Sequence, residues 1–293
     1  MRVTFHGVRG STPSPGVDYV RYGGHTSCVG LAHDGSAPSL VLDAGTGLRH
    51  LSQTLAAEPF RGTLLLTHLH WDHTQGLPFF AAGNRHDADV AVLIPEQGDA
   101  VEVLSRMVSP PHFPILPTEL LGRWRFNGLE PGVHDIEGFS VLAAEIPHKG
   151  GRTYGYRISD GHAAIAYMPD HSPTSLGPGA RGLGVCHQAA LDLADGVDLL
   201  IHDAQYTAEE LPDRLHYGHA AVDYAVELAR ASGAARLVLF HHEPGRTDEA
   251  VDAMLAGVVG SGCDAIAAAE GQMIDVPARW QPPAVERARI AER

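Results

Sequence analysis

Thr63-Leu64-Leu65-Leu66-Thr67-His68-Leu69-His70-Trp71-Asp72-His73 is the stretch on which the reading of this 293-residue chain turns. Leu64–Leu66 is a short apolar run of the kind that forms a strand buried on both faces. Polar residues begin where that run ends. In an extended segment residues two apart share a face, so His68 and His70 can converge on one ion. Asp72 and His73 follow as the chain turns and can serve a second. Imidazole and carboxylate donors suit zinc, and also manganese or iron. A polar loop of hydrogen-bonded histidines is the plainer reading, but four ligand-capable residues within six positions argue against it. The chain holds 19 histidines against 21 lysines and arginines together, and histidine is both the commonest metal ligand and the usual neutral-pH acid or base.

Outward from this stretch, short β-rich runs alternate with amphipathic helices, and no low-complexity linker separates them. Strands are predicted at residues 3–7, 28–33, 40–43, 63–67 and 90–94, with helices at 47–57 and 99–107. Further strands are predicted at 140–146, 153–158, 164–168, 197–202, 236–241 and 265–268, with helices at 184–195, 219–232 and 248–260. This order suits two sheets face to face with helices outside, and the pattern alone fits other α/β layouts as well. It reads as one domain over 1–276 in two similar halves, about 1–146 and 147–276. Ser109–Arg125, with four prolines, reads as a loop or lid, and 277–293 as a surface tail.

Composition narrows the function. The chain is 44% hydrophobic, with mean hydropathy −0.08, enough to bury a core. Its formal net charge is −14, which argues against salt-driven binding to a nucleic-acid backbone and against docking on an anionic membrane. A small anionic substrate stays possible, because bound metal inverts local charge. Cys28, Cys186 and Cys263 have no paired spacing, which excludes a disulfide framework and a cysteine-built zinc site. No apolar run reaches the ~18 residues of a membrane span, and the opening MRVTFHGVRG lacks a signal peptide's apolar core. A cytoplasmic location is the expectation.

The H-x-H-x-D-H segment resembles the metallo-β-lactamase superfamily, whose fold is a four-layer αββα sandwich with a binuclear metal site at the edge of its two sheets. The resemblance extends through most of the chain. Val41-Leu42-Asp43-Ala44-Gly45-Thr46-Gly47 is similar to the motif whose aspartate supports the metal-binding loop, which points to Asp43. Ile146-Pro147-His148 matches the third histidine, Ala166-Tyr167-Met168-Pro169-Asp170 the bridging aspartate, and Leu237-Val238-Leu239-Phe240-His241 the last histidine. His242 competes with His241, but adjacent strand residues face opposite sides and the motif favours His241. The segments Leu199–Ala204 and Gly218-His219-Ala220 resemble the RNase Z-like phosphodiesterase branch, where an acidic residue and a histidine donate a proton beside the metals.

The resemblance therefore implies two divalent ions per chain, zinc first, with manganese or iron as alternatives. His68, His70 and His148 would hold one, Asp72, His73 and His241 the other, and Asp170 would bridge them. A metal-bridging hydroxide would be the nucleophile, and His219 the acid, oriented by Asp203. Arg9, His112 and His171 are candidate substrate contacts, whereas Phe79-Phe80 reads as core. The long arm with which RNase Z holds tRNA has no counterpart, since the insert over 83–125 is neither basic nor extended. With the net charge, this leads to a metal-dependent phosphodiesterase for a small, cyclic-nucleotide-like diester. It also leads away from any stable nucleic-acid complex and from membranes; a homodimer is possible. The alternatives on the same scaffold are thioester, lactone or β-lactam hydrolysis, and RNA 3′-end endonuclease activity.

Overall fold

A computed structural model describes residues 1–277; all but the first residue of the expected tail lies outside the described residues. The first sheet is built from β1 (Arg2–Gly7), β2 (Cys28–Ala32), β3 (Leu40–Leu42), β4 (Arg61–Leu65), β5 (Asp89–Pro95) and β6 (Arg123–Leu129). Helices α1 (Gly47–Thr54), α2 (Trp71–Thr74) and α3 (Ala100–Ser105) lie between these strands in sequence. The second sheet takes β7 (Gly132–Ile136), β8 (Phe139–Glu145), β9 (Tyr154–Ser159), β10 (Ala164–Met168), β11 (Leu199–Asp203), β12 (Leu237–Phe240) and β13 (Ala265–Ala267). Its helices are α4 (Gln188–Ala194), α5 (Leu211–Arg214), α6 (Val222–Ser232) and α7 (Asp248–Val258). The last strand, β14 (Met273–Asp275), returns to pair with β1.

The sheet orders are β14-β1-β2-β3-β4-β5-β6 and β13-β12-β11-β10-β9-β8-β7. Each sheet is antiparallel on one side and parallel on the other: β3 to β6 run parallel, as do β10 to β13. The chain passes from one sheet to the other between β6 and β7, well before the midpoint of 146/147 that the sequence suggests. Alternation along the strands sorts side chains into layers. Phe5, Leu31, Leu42 and Leu65 meet Tyr156, Ile165, Ile201 and Phe240 between the sheets. The opposite faces, Val41, Leu64 and Val92 in one sheet and Met168, Leu200 and Leu239 in the other, are covered by α1 and α3 and by α4, α6 and α7. The result is the four-layer αββα sandwich.

Every predicted strand is present, but β6, β7 and β14 carry no clear signal. β6 begins inside the proline-rich segment that reads as loop, and its residues alternate exposed and half-buried to Gly128, as befits an edge strand. The predicted helix over 219–232 starts only at Val222, which leaves His219 in the preceding loop rather than at a helix cap.

Candidate metal centre

Strand ends bring the polar residues to one edge of the sandwich. The segment after β4 carries His68 and His70, and the single turn α2 buries Asp72 and His73 while Trp71 stays outside. His148 follows β8, Asp170 follows β10, Asp203 ends β11 and His241 follows β12. Sites outside the carboxyl ends of parallel strands are the common outcome in α/β folds, because the loops there converge while the strands stay fixed.

Two four-residue donor groups result, beside a third made of Asp203, His219 and His241. His68, His70, His148 and Asp170 form one, and Asp72, His73, Asp170 and His241 the other, with the ligand atoms in each lying within 4.8 Å of one another. Asp170 belongs to both. Its Oδ1 lies 3.5 Å from His148 Nε2 and 3.8 Å from His68 Nε2. Its Oδ2 lies 2.9 Å from His73 Nε2 and 3.3 Å from His241 Nε2. Asp72 Oδ2 closes the second group, 3.2 Å from His73 Nε2 and 3.1 Å from His241 Nε2.

The donor set fits divalent cations. His68 Nε2, His73 Nε2 and Asp170 Oδ2 are buried without a well-directed hydrogen bond, although the last two face each other. Polar atoms buried in this way are costly unless something pairs them, and nitrogen and carboxylate donors around a common point are what zinc and its neighbours take. Burial holds His68 well below the ordinary imidazole pKa. Burial also opposes charge on Asp170, yet His241, His73 and His68 outweigh it and hold the carboxyl well below the usual range.

Supporting contacts fix which nitrogen each ring presents. His73 Nδ1 donates to Asp43 Oδ2 at 2.8 Å, His148 Nδ1 to the Gly218 carbonyl at 2.7 Å, and His241 Nδ1 to Gln205 Oε1 at 2.8 Å. Asp43 also accepts from the Thr67 amide and from the Tyr167 hydroxyl. The Ser11 amide donates to Asp72 Oδ2 at 2.7 Å. Beside the cluster, His219 Nδ1 sits 3.0 Å from Asp203 Oδ2, which also accepts from the amides of His171 and Ala220. Burial works against charge on His219, but Asp203, Asp170 and Asp72 carry its pKa above the ordinary value.

Three substrate-side readings fare differently. Arg9 has no exposed surface: its Nε donates to the Gly23 carbonyl and its Nη1 to the Arg246 carbonyl, so it braces two loops and cannot meet a phosphate. His171 is equally buried, its Nδ1 2.9 Å from His202 Nε2, and it does not line the mouth of the cluster. His112 is exposed and lines a cleft with Trp71 and Phe79. Phe79, expected in the core, is exposed; Phe80 alone is buried. His242 turns away to donate to the Ala268 carbonyl. Gln205, Gly218, Tyr167 and Ser11 escape a reading by ligand type; Tyr167 and Gly218 do lie within the quoted motifs, three residues before Asp170 and next to His219.

A family model described as beta-lactamase superfamily domain matches residues 39–242. Ribonuclease Z of Natronomonas pharaonis is 22% identical, with 94% of this chain and 98% of that protein covered. Among solved structures, the metallo-beta-lactamase fold protein YhfI from Bacillus subtilis superimposes with a TM-score of 0.69 at 18% identity, covering 93% of this chain and 98% of that one. Human tRNase Z, short form, gives a TM-score of 0.66 at 21% identity, covering 94% and 100%. The ribonuclease Z relatives overturn one expectation, that the substrate is a small molecule and that nucleic acid is not a partner. Net charge is a sum over the whole surface, whereas a nuclease needs favourable charge only along the path to its metals. Among the described residues no helix is long and apolar enough to cross a membrane.

Proposed function

The chain belongs to the beta-lactamase superfamily, and on that premise we propose that it is a two-metal phosphodiester hydrolase that cuts RNA near a 3′ end. The observation that carries this reading is the carboxylate of Asp170, which gives one oxygen to each donor group. His68, His70 and His148 would hold one cation, Asp72, His73 and His241 the other, and Asp170 both. When bound, the two cations would supply an acidified water and offset charge on the phosphate oxygens.

The remaining work falls to the chain's own groups. His219, with Nδ1 held by Asp203, keeps Nε2 for the departing ribose oxygen and gives it a proton as general acid. Asp203 is fully buried and satisfied by backbone amides, so it orients the ring without competing for that proton. Asp43 fixes the loop that carries four ligands. The ribonuclease Z relatives support RNA as the substrate class.

The test is a 5′-labelled RNA with a single-stranded 3′ extension, incubated with protein loaded with zinc or manganese. Release of the extension, abolished by chelation and restored by metal, is expected. A fully loaded protein that leaves the RNA intact overturns the reading.

A further inference from the structure

Among the described residues, the exposed large aromatic side chains are Trp71 at 75%, Phe79 at 64% and Tyr217 at 55%. Two of them border the candidate metal centre, and Phe79 lies in the cleft next to it. Trp71 and Tyr217 line the mouth of the centre together with Ser11, His70 and His219. Trp71 also lines a neighbouring cleft of about 370 Å³ with Phe79, Phe113, His112 and Arg106. One indole thus joins the two concavities. Large exposed aromatics are unfavourable in water and rarely gather without a partner. Phe79 is braced by Phe113, whose ring meets it edge to face at 5.7 Å and 88°, so its position is set by packing.

We infer that Trp71, Phe79 and Phe113 form a base-stacking platform that holds the unpaired nucleotides next to the scissile phosphate. This rests on the ribonuclease reading and adds to it the element that grips the strand. Every base has a π-face, so such a platform binds single strands with little regard to sequence. Charge on the path suits a phosphate backbone. Arg106 lies exposed in the cleft without an ion-pair partner among the described residues. Near Tyr217 stands Lys149, the only lysine in the chain; its Nζ donates to the His216 carbonyl at 2.7 Å. An acidic protein can bind a strand through these few groups, where the tRNA arm of its relatives is missing.

The experiment compares two 5′-labelled RNAs of equal length and phosphate number, one with ordinary bases in its 3′ segment and one abasic there. The metal-loaded wild type is expected to prefer the base-bearing strand in kcat/KM by about 10- to 100-fold. Trp71→Ala and Phe79→Ala are each expected to lower that preference, and Trp71→Phe to restore part of it. Because Trp71 stands between two ligands, metal content is measured for every variant, and Phe79→Ala gives a readout remote from them. No preference in the wild type, or a preference that survives in the Trp71→Ala/Phe79→Ala double variant, overturns the platform while leaving the ribonuclease reading intact. A loaded wild type that cuts neither RNA overturns the ribonuclease reading, and the ligand of the platform with it.

Discussion

Asp43 places Oδ2 2.8 Å from Nδ1 of His73, with both side chains fully buried and thirty residues apart in sequence. Asp43 sits at φ 60°, a left-handed conformation that aspartate and asparagine tolerate better than most residues. Its carboxylate collects the Thr67 amide, the Tyr167 hydroxyl and the His73 ring, so one buried charge ties the strand end to the ligand turn. Asp43→Asn keeps the shape and the backbone preference but removes the charge. Metal affinity is expected to fall about 10- to 100-fold, read by competition with a chelating dye, with little change in the fold by circular dichroism.

The shared position of Asp170 separates it from the other ligands. His148→Ala removes a donor from one group only, whereas Asp170→Ala removes one from each. Bound metal per chain, measured by atomic emission after dialysis, is expected to fall toward one in the first variant and toward none in the second. Metal-induced stabilisation should follow the same order, since a ligand that binds only the folded state raises stability with occupancy. Equal stoichiometry in the two variants would remove the case for Asp170 as the common ligand.

The acid role of His219 has a kinetic signature. Its removal is expected to lower kcat on RNA by about 10²- to 10⁴-fold. With bis(p-nitrophenyl) phosphate the loss should be much smaller, because p-nitrophenolate leaves without protonation. Asp203→Asn should show the same pattern in weaker form, since the ring keeps a partner at Nδ1 but loses the charge. A uniform loss on both substrates would point to damaged metal binding instead.

Much of the centre was legible in the sequence because ligand chemistry is local. Spacing two apart in an extended segment put His68 and His70 on one face, and the motif order brought His148, Asp170 and His241 to the same edge. Arg9 and His171 misled because residue type does not report burial: both are polar, and both are wholly enclosed by loops whose packing no short window shows. Phe79 misled in the opposite sense. An aromatic beside Phe80 looks like core, yet a 3₁₀ turn over Leu77–Phe79 sends the two rings to different sides. The edge strand β6 was hidden because it starts inside the proline-rich segment, and β14 because it is only three residues long. The substrate class was beyond composition altogether, because the acidic surplus is spread over the whole chain.

Gly10 offers a way to disturb the second donor group without touching a donor. A Cβ at this position would stand 2.4 Å from the His241 ring, far inside contact distance. His241 cannot retreat easily: its Nδ1 is held by Gln205 and its own backbone sits at φ 59°. Gly10→Ala is therefore expected to swing the ring off its Nε2 position and lose metal from that group, with metal content as the readout. Retained stoichiometry would mean that the N-terminal loop yields instead.

Histidine burial also sets the response to acid, and His6 tests it away from the metals. Both of its ring nitrogens are buried without partners, and burial, reinforced by His50, lowers its pKa to about 3. In the unfolded chain the same ring titrates at about 6.5. Below that pH the unfolded state takes up a proton that the folded state refuses, so stability present at neutral pH is lost as pH falls toward the folded pKa. The slope from this one group is at most about 1.4 kcal/mol per pH unit. His6→Leu fills a similar volume and has nothing to protonate. Between pH 7 and pH 5 the variant is expected to lose about 1–2 kcal/mol less stability than the wild type, measured by urea denaturation at both pH values. Metal release from the other histidines occurs in both proteins and cancels in the difference. Parallel curves for the two proteins would mean that His6 accepts its proton in the folded state, through movement of α1 and His50 away from the strand.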